Sequence, residues 1–566
     1  MNKAIIGAAI ASILAFSASA SAADVRLINE DAAGVGLNDT TPAVPVGGNP
    51  GKTRGEQARI VYQYAMDMWG GVLESSSTIN VYASFAPLGC TASSGTLAQA
   101  GANWTFNLTD GNGVRRRYGS ALADAVTGID LFQYFKEQGG IPAGYEDDVG
   151  DIFSQFNGRL GEPGCLTGMR WYFGLDGRTP AGQVNFLNVV MHELGHGLGV
   201  QGFLNKTSGA LNGGLSDPYT YYAYDNVLNK GFESMTSAER ALAMRTPGRT
   251  VWRGANVNRN AALLLDEGYR ETVLQVTAPA AVARNYGFFT ASFGPAATPA
   301  NFSGQFVAAL DEANTDGPLA SDGCTAITNA ADVAGKVALI ERGTCGFAVK
   351  VKNAQNAGAK GVIIVNSAAG ALGTMGGEDA TITIPAIQVE RADGLAFIAN
   401  APVTGALALG PETLAGTDVA GRTRLYSPTT VAGGSTFSHF DTVVAPNALM
   451  EPFDTPSVQA HLNVDMTAGL FADIGWQLNP GNGKVTNKVQ SCDTGVRAVT
   501  DGGWVVGSNL QATNTVCATG TTTRVGYYGC MREQADNLKG LGLLTTTQHA
   551  KVLSCARMVM DRVHAR

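Results

Sequence analysis

His192-Glu193-Leu194-Gly195-His196 is the stretch on which the reading of this chain turns. Two histidines four residues apart on a helix stand one above the other on the same face. Their imidazoles can then reach one metal ion together, and the glutamate between them projects toward the water such a metal activates. The pattern predicts a helix over 184–198, with Val184, Leu187 and Val190 as its apolar back face. Asp176-Gly177 and Pro180 form the turn leading in, a short strand is predicted at 169–173, and Gly199 supplies a left-handed cap.

A catalytic zinc ordinarily takes three protein ligands and leaves a fourth position open. Where the third histidine follows the glycine after the motif by three residues, this chain has Gly202, which cannot ligate. The chain has six histidines, and none falls in the 242 residues between His196 and His439. His439 stands in Gly433-Gly434-Ser435-Thr436-Phe437-Ser438-His439-Phe440-Asp441, and Asn447-Ala448-Leu449-Met450-Glu451-Pro452 follows. A rival third ligand is a carboxylate, with Glu233 and Glu239 beside a predicted helix at 237–243 as candidates. His461, His549 and His564 read as structural or surface residues, and Met450 taken alone also reads as ordinary core.

Taken together these residues resemble the leishmanolysin-like metzincin metallopeptidases. In that family an inserted domain separates the third zinc-binding histidine from HExxH, and an aromatic residue and then a Met-turn follow it. The resemblance implies His192, His196 and His439 as Zn²⁺ ligands and Glu193 as general base. It implies Met450, 11 residues beyond His439, as the Met-turn, a soft side chain packed beneath the ligands without bonding the metal. Phe440 stands where Trp is common, and the insertion is much longer than usual.

From 275 to 412 small residues dominate, with short β-type runs at 336–340 and 361–365 around a predicted helix at 347–357. Gly335-Lys336-Val337-Ala338-Leu339-Ile340-Glu341-Arg342-Gly343-Thr344-Cys345-Gly346-Phe347, continuing through Lys350 to Asn366, resembles a PA (protease-associated) domain. That resemblance implies a part in substrate access or binding; passive decoration is the alternative. The segment holds no histidine and no clustered cysteines, so it has no zinc site of its own. So long an insertion is tolerable because closure costs only about 0.6 kcal/mol per doubling of length, provided its two ends lie together.

Composition narrows the remainder. The 566 residues are 45% hydrophobic and 15% charged, with 72 glycines and a net charge of −8. A disordered chain would be charge-rich and apolar-poor, and an ordinary nucleic-acid binder would be basic. Lys3, the apolar run 4–16 and Ala20-Ser21-Ala22-Ala23 predict a signal peptide over 1–23 and secretion, extracellular or periplasmic. The run is too short to span a bilayer, and no later stretch predicts a membrane span. Eight cysteines in an exported chain predict disulfides. Cys90 and Cys165 form one even group, Cys324 and Cys345 a second, and Cys492, Cys517, Cys530 and Cys555 a third. In the third, Cys530 and Cys555 are candidates to bridge a hairpin of two helical runs, 531–538 and 545–558.

The expected fold class is α+β. A metzincin-like catalytic domain (24–274 and 413–478) is interrupted by a β-rich α/β PA insert (275–412). A linker at 479–483 leads to a small, disulfide-pinned, largely helical module (488–566). The amphipathic helix 54–72 and the strand 78–85 open the catalytic domain. The expected function is that of a secreted, monomeric zinc endopeptidase acting on protein or peptide substrates, with no nucleic-acid partner. Tyr219, Tyr221, Tyr222 and Tyr224 are the candidate oxyanion donors. The alternative is a catalytically silent exported binding or adhesion protein that keeps the fold and binds proteins through its PA domain.

Overall fold

The computed structural model describes residues 22–110, 113–315, 317–367, 372–479, 488–490 and 492–563. The signal-peptide run, most of the linker at 479–483 and His564 lie outside the described residues.

The larger hydrophobic core gathers around α1 (Arg54–Val72), whose bounds coincide with the amphipathic stretch in the sequence. Thr53 starts it, its hydroxyl accepting from Glu56 N at 3.1 Å. Near its end two glycines admit neighbours on opposite sides. A Cβ at Gly70 would lie 2.5 Å from the Ala23 carbonyl oxygen, and one at Gly71 would lie 2.7 Å from Ser508 Oγ. Ala23 and Ser508, far apart in sequence, therefore pack on the same turn of α1.

Beside α1 lies a four-stranded sheet. Strands β1 (Val25–Asn29), β2 (Ile79–Ala86), β3 (Ala98–Ala102) and β4 (Ile152–Asn157) stand in the order β1-β2-β4-β3. The first three in that order run parallel, and β3 closes the edge antiparallel to β4. Packed between sheet and α1 is α2 (Phe186–Leu198), the helix that carries the HExxH residues. It begins two residues later than predicted, because Gln183–Asn185 forms a short strand and Asn185 caps the helix through Asn188 N. Trp69 Nε1 donates to Met191 O at 3.1 Å and so locks α1 to α2.

Residues 272–409 build a separate eight-stranded mixed sheet with its own two apolar clusters. Its centre is parallel: Val337–Glu341 pairs with Gly361–Val365, which pairs with Ala386–Val389. The helix Phe347–Asn356 crosses between the first two. At the base, Tyr269 and Thr413 exchange backbone hydrogen bonds of 3.0 and 2.9 Å. The chain thus leaves and re-enters the larger core at one point. Arg249, only 4% exposed, ties the two bodies by pairing with Asp225 at 2.7 Å and with Glu390 at 3.4 Å.

The tail corrects two sequence expectations. Besides α4 (Arg524–Gly540) and α5 (Thr546–Val563), it contains α3 (Val506–Gly520), a helix that composition did not suggest. Helix α3 packs on α1, and Val499, Val505, Ala512 and Val516 belong to the larger core rather than to a separate one. The bridges are Cys492–Cys555 and Cys517–Cys530, not Cys530–Cys555. Cys530 faces α3, whose Cys517 is its partner, and Cys555 faces the short strand holding Cys492. A non-reducing peptide map should recover these two pairs; a 530–555 peptide pair would contradict them. Cys90–Cys165 and Cys324–Cys345 join as the sequence suggested. Four disulfides with no free cysteine suit an oxidising compartment. Among the described residues no helix is long and apolar enough to cross a membrane.

Two buried carboxyls make a pH prediction. Asp124 and Asp151 are 3% and 4% exposed. Burial and then the charge of Asp151 hold the Asp124 carboxyl well above its usual range, and burial raises Asp151 to about 7. In the unfolded chain both would titrate near ~3.9. Their contribution to stability is therefore complete below about pH 4 and is lost as pH rises through about 7. Asp151→Asn should gain on the wild type by at least about 1.4 kcal/mol between pH 4 and pH 8 in urea unfolding, the equivalent of a tenfold change in proton affinity. An unchanged difference would remove the pair as a source of pH dependence.

Candidate metal centre

Three histidines from two distant stretches meet. His192 and His196 stand one turn apart on α2, and His439 arrives on the segment that returns after the eight-stranded sheet. That segment is held by backbone pairing: Leu425 N donates to Thr250 O, Tyr426 N to His439 O, and Phe437 N to Tyr426 O, all at 2.8–2.9 Å. It passes over Gly202, where a Cβ would fall 2.4 Å from the Phe437 ring. The position where the shorter motif would place its third histidine is thus filled by the segment that delivers His439.

The three Nε2 atoms converge, at 3.1 Å for His192–His196, 3.1 Å for His196–His439 and 3.2 Å for His439–His192. Each Nδ1 faces a backbone carbonyl instead: His192 on Leu449 O at 2.7 Å, His196 on Val200 O at 2.8 Å and His439 on Ser435 O at 2.8 Å. A carbonyl only accepts, so each Nδ1 carries the proton and each Nε2 presents a lone pair. One proton would bridge only one pair of nitrogens, whereas three converging lone pairs are a donor set that suits a cation. Burial also disfavours imidazolium, lowering His192 to about 4 and moving His196 and His439 well below the usual value. A tetrahedral ion about 2.0–2.1 Å from its nitrogens would set them about 3.3–3.4 Å apart. The donor set fits a divalent metal of that kind, and His192, His196 and His439 are the one such cluster among the described residues.

Glu193 lies between the two helical ligands in sequence and is 6% exposed; its Oε2 has no hydrogen-bond partner. Burial raises its carboxyl to about 8. Nearby positive charge favours the ionised carboxylate. Met450 is fully buried, and its Sδ lies 2.7 Å from where a Cβ on Gly195 would stand. The methionine therefore packs against α2 between the two helical histidines. Phe440 N donates to Met450 O at 2.9 Å, which ties the turn to the residue after His439.

Other sequence candidates fall elsewhere. Glu233 is paired with Arg116 through both oxygens at 3.2 Å. Glu239 closes the capping box of its own helix and pairs with Lys230 at 2.8 Å. Neither belongs to the histidine cluster. Tyr219 gives its hydroxyl to Phe437 O at 2.8 Å, and so supports the His439 segment rather than offering an oxyanion donor. Tyr221 is sandwiched between Arg116 and Arg253, Tyr222 stacks on Trp252 and Tyr224 lies under Arg422. His461 is buried against Gly177, and His549 pairs with Asp536 at 2.7 Å.

Sequence reasoning missed Lys206. Its ammonium donates to Gly434 O at 2.9 Å, beside Ser435, and its charge helps depress His196 and His439. A lone lysine in a loop carries no spacing signal that could have marked it.

Comparison with known proteins gives a partial likeness. Residues 304–397 match the family model described as PA domain. A 46-residue stretch is 54% identical to human ER degradation-enhancing alpha-mannosidase-like protein 3, covering 8% of this chain and 5% of that protein. Among solved structures, the zinc aminopeptidase BSAP from Bacillus subtilis aligns with 27% of this chain and 36% of its own, at 24% identity and a TM-score of 0.18. An aminopeptidase from Aneurinibacillus sp. strain AM-1 aligns with 32% of this chain and 40% of its own, at 20% identity and a TM-score of 0.19. The chain therefore spans less than half the length of each protein it matches. It carries a protease-associated domain; the histidine centre lies outside the matched segment.

Proposed function

We propose that this chain is an exported zinc endopeptidase of the metzincin type, in which 24–274 and 413–478 form the catalytic unit around the PA insert 275–412. The observation that carries the reading is the convergence of the His192, His196 and His439 Nε2 atoms at 3.1–3.2 Å, with the buried, unpartnered Glu193 adjacent to His192 in the chain. His192, His196 and His439 would hold Zn²⁺, which when bound lowers the pKa of water and polarises a carbonyl.

Glu193 takes the proton of the attacking water on its carboxylate and passes it to the nitrogen of the departing amine. The backbone carbonyls of Leu449, Val200 and Ser435 keep the three imidazoles in the tautomer that ligation needs. Met450 packs against α2 at Gly195, while the helix itself sets the spacing of His192 and His196. Strand β3 is the sheet edge that packs beside α2, paired on one side only, with its last residue capped by Gln201 through Ala102 N. An extended peptide adds to such an edge through its own backbone groups, and this would present an internal bond rather than a terminus.

A peptide acetylated at its N-terminus and amidated at its C-terminus tests the reading. The expected result is cleavage at an internal bond. Trimming confined to peptides with a free amino terminus would make the enzyme an exopeptidase and overturn the endopeptidase assignment.

A further inference from the structure

The tail's Gly503 turn and Asp465 reach the metal centre through a short series of contacts. His192 Nδ1 donates to Leu449 O at 2.7 Å. The amide on the other side of Leu449 donates to Asp465 Oδ2 at 2.5 Å. The other oxygen of Asp465 accepts from Thr467 N at 3.2 Å and Thr467 Oγ1 at 3.1 Å. One carboxylate thus joins the Met-turn to the start of the helix Thr467–Ile474.

Asp465 itself is held in an uncommon conformation. Its φ is +46°, in the left-handed region that a side-chain-bearing residue occupies only when its surroundings enforce it. Asn463 Oδ1 accepts from Asp465 N at 2.5 Å, and the tail closes on the same residue from outside. Val464 N donates to Gly503 O and Val505 N to Leu462 O, both at 2.9 Å. A Cβ on Gly503 would lie 2.2 Å from Asp465 O and 2.4 Å from Asp465 N, so only glycine lets the turn approach this closely. From the other direction Asn188, one turn before His192 on α2, donates to Val458 O at 2.8 Å and accepts from Ala460 N at 3.3 Å. The stretch 449–465 is therefore fastened to the ligand helix at one place and to the tail at another.

We propose that Asp465 and the Gly503 turn are positioning elements of the metal centre, so that the C-terminal segment sets the orientation of His192 through Leu449. The inference rests on the zinc reading above. It gives the tail a role that its sequence did not disclose, and it places residues 500–505 among the parts the metal site needs.

The test uses the full chain, zinc affinity by competition with a chromophoric chelator, and the visible spectrum of the Co²⁺-loaded protein. Asp465→Asn puts an amide donor where donors already converge, and Gly503→Ala pushes the backbone of Asp465. Both should weaken zinc binding about 10–100-fold, the usual consequence of losing a partner behind a ligand, and both should shift the cobalt bands. Thr467→Val removes one hydroxyl bond to Asp465 while leaving the Leu449 bond, and should keep zinc affinity within about threefold of wild type. Wild-type affinity and spectrum in Gly503→Ala or Asp465→Asn would overturn the proposal. So would an equal loss in Thr467→Val, which would mark general destabilisation. If Asp465→Asn does not fold, Gly503→Ala decides. A wild-type chain that takes up no zinc overturns the metal reading itself, an outcome distinct from variants that bind as well as wild type.

Discussion

Glu193→Ala should keep its zinc and lose peptide hydrolysis by about 10²–10⁴-fold, the range that a positioned general base supplies. The Oε2 of Glu193 is buried without a partner, so the fold gains nothing from that oxygen. A buried, unsatisfied polar atom costs stability, and removing it should leave the melting temperature unchanged or raised. A residue that costs stability where it stands is expected at a reacting centre rather than in a scaffold. Activity against casein, zinc content and thermal unfolding of the same preparation separate the possibilities. Full activity with full zinc would end the general-base assignment.

His439→Ala should release the metal. Zinc affinity is expected to fall by more than the ~10–100-fold typical of partners behind a ligand, because a first-contact nitrogen is removed and two imidazoles remain. The fold should survive, since the backbone bond from Tyr426 N to His439 O does not involve the side chain. Glu233→Gln and Glu239→Gln make the contrast. Their carboxylates are paired with Arg116 and Lys230, so both variants should keep zinc at the wild-type level. Zinc retained by His439→Ala but lost by either glutamine variant would restore the carboxylate-ligand alternative.

Much of this centre was legible because its signals are local. The i, i+4 histidines, the capped end at Gly199 and the amphipathic run 54–72 are written in neighbouring residues, and the helices follow them closely. His439 is marked by its likeness to the leishmanolysin-like pattern, carried by Phe440 after it and Met450 eleven residues on. What escaped was set by packing. Helix α3 is rich in Gly, Ser, Asn and Thr, poor helix formers, and forms because its apolar positions complete the core against α1. Without that helix Cys517 has no evident place, which leaves Cys530–Cys555 as a candidate that the fold replaces with Cys517–Cys530 and Cys492–Cys555. The tyrosines after α2 looked like free donors in sequence. In the fold, Tyr219 is committed to Phe437 and Tyr221 to two arginines. Asp465 gave no signal, because its effect on His192 passes through backbone atoms of Leu449.

The most direct test is metal content read together with activity on the purified wild-type chain. One zinc per chain is predicted, with hydrolysis of a doubly blocked peptide abolished by a chelator and restored by stoichiometric Zn²⁺. A metal-free chain that cleaves the peptide, or cleavage indifferent to the chelator, would contradict the account.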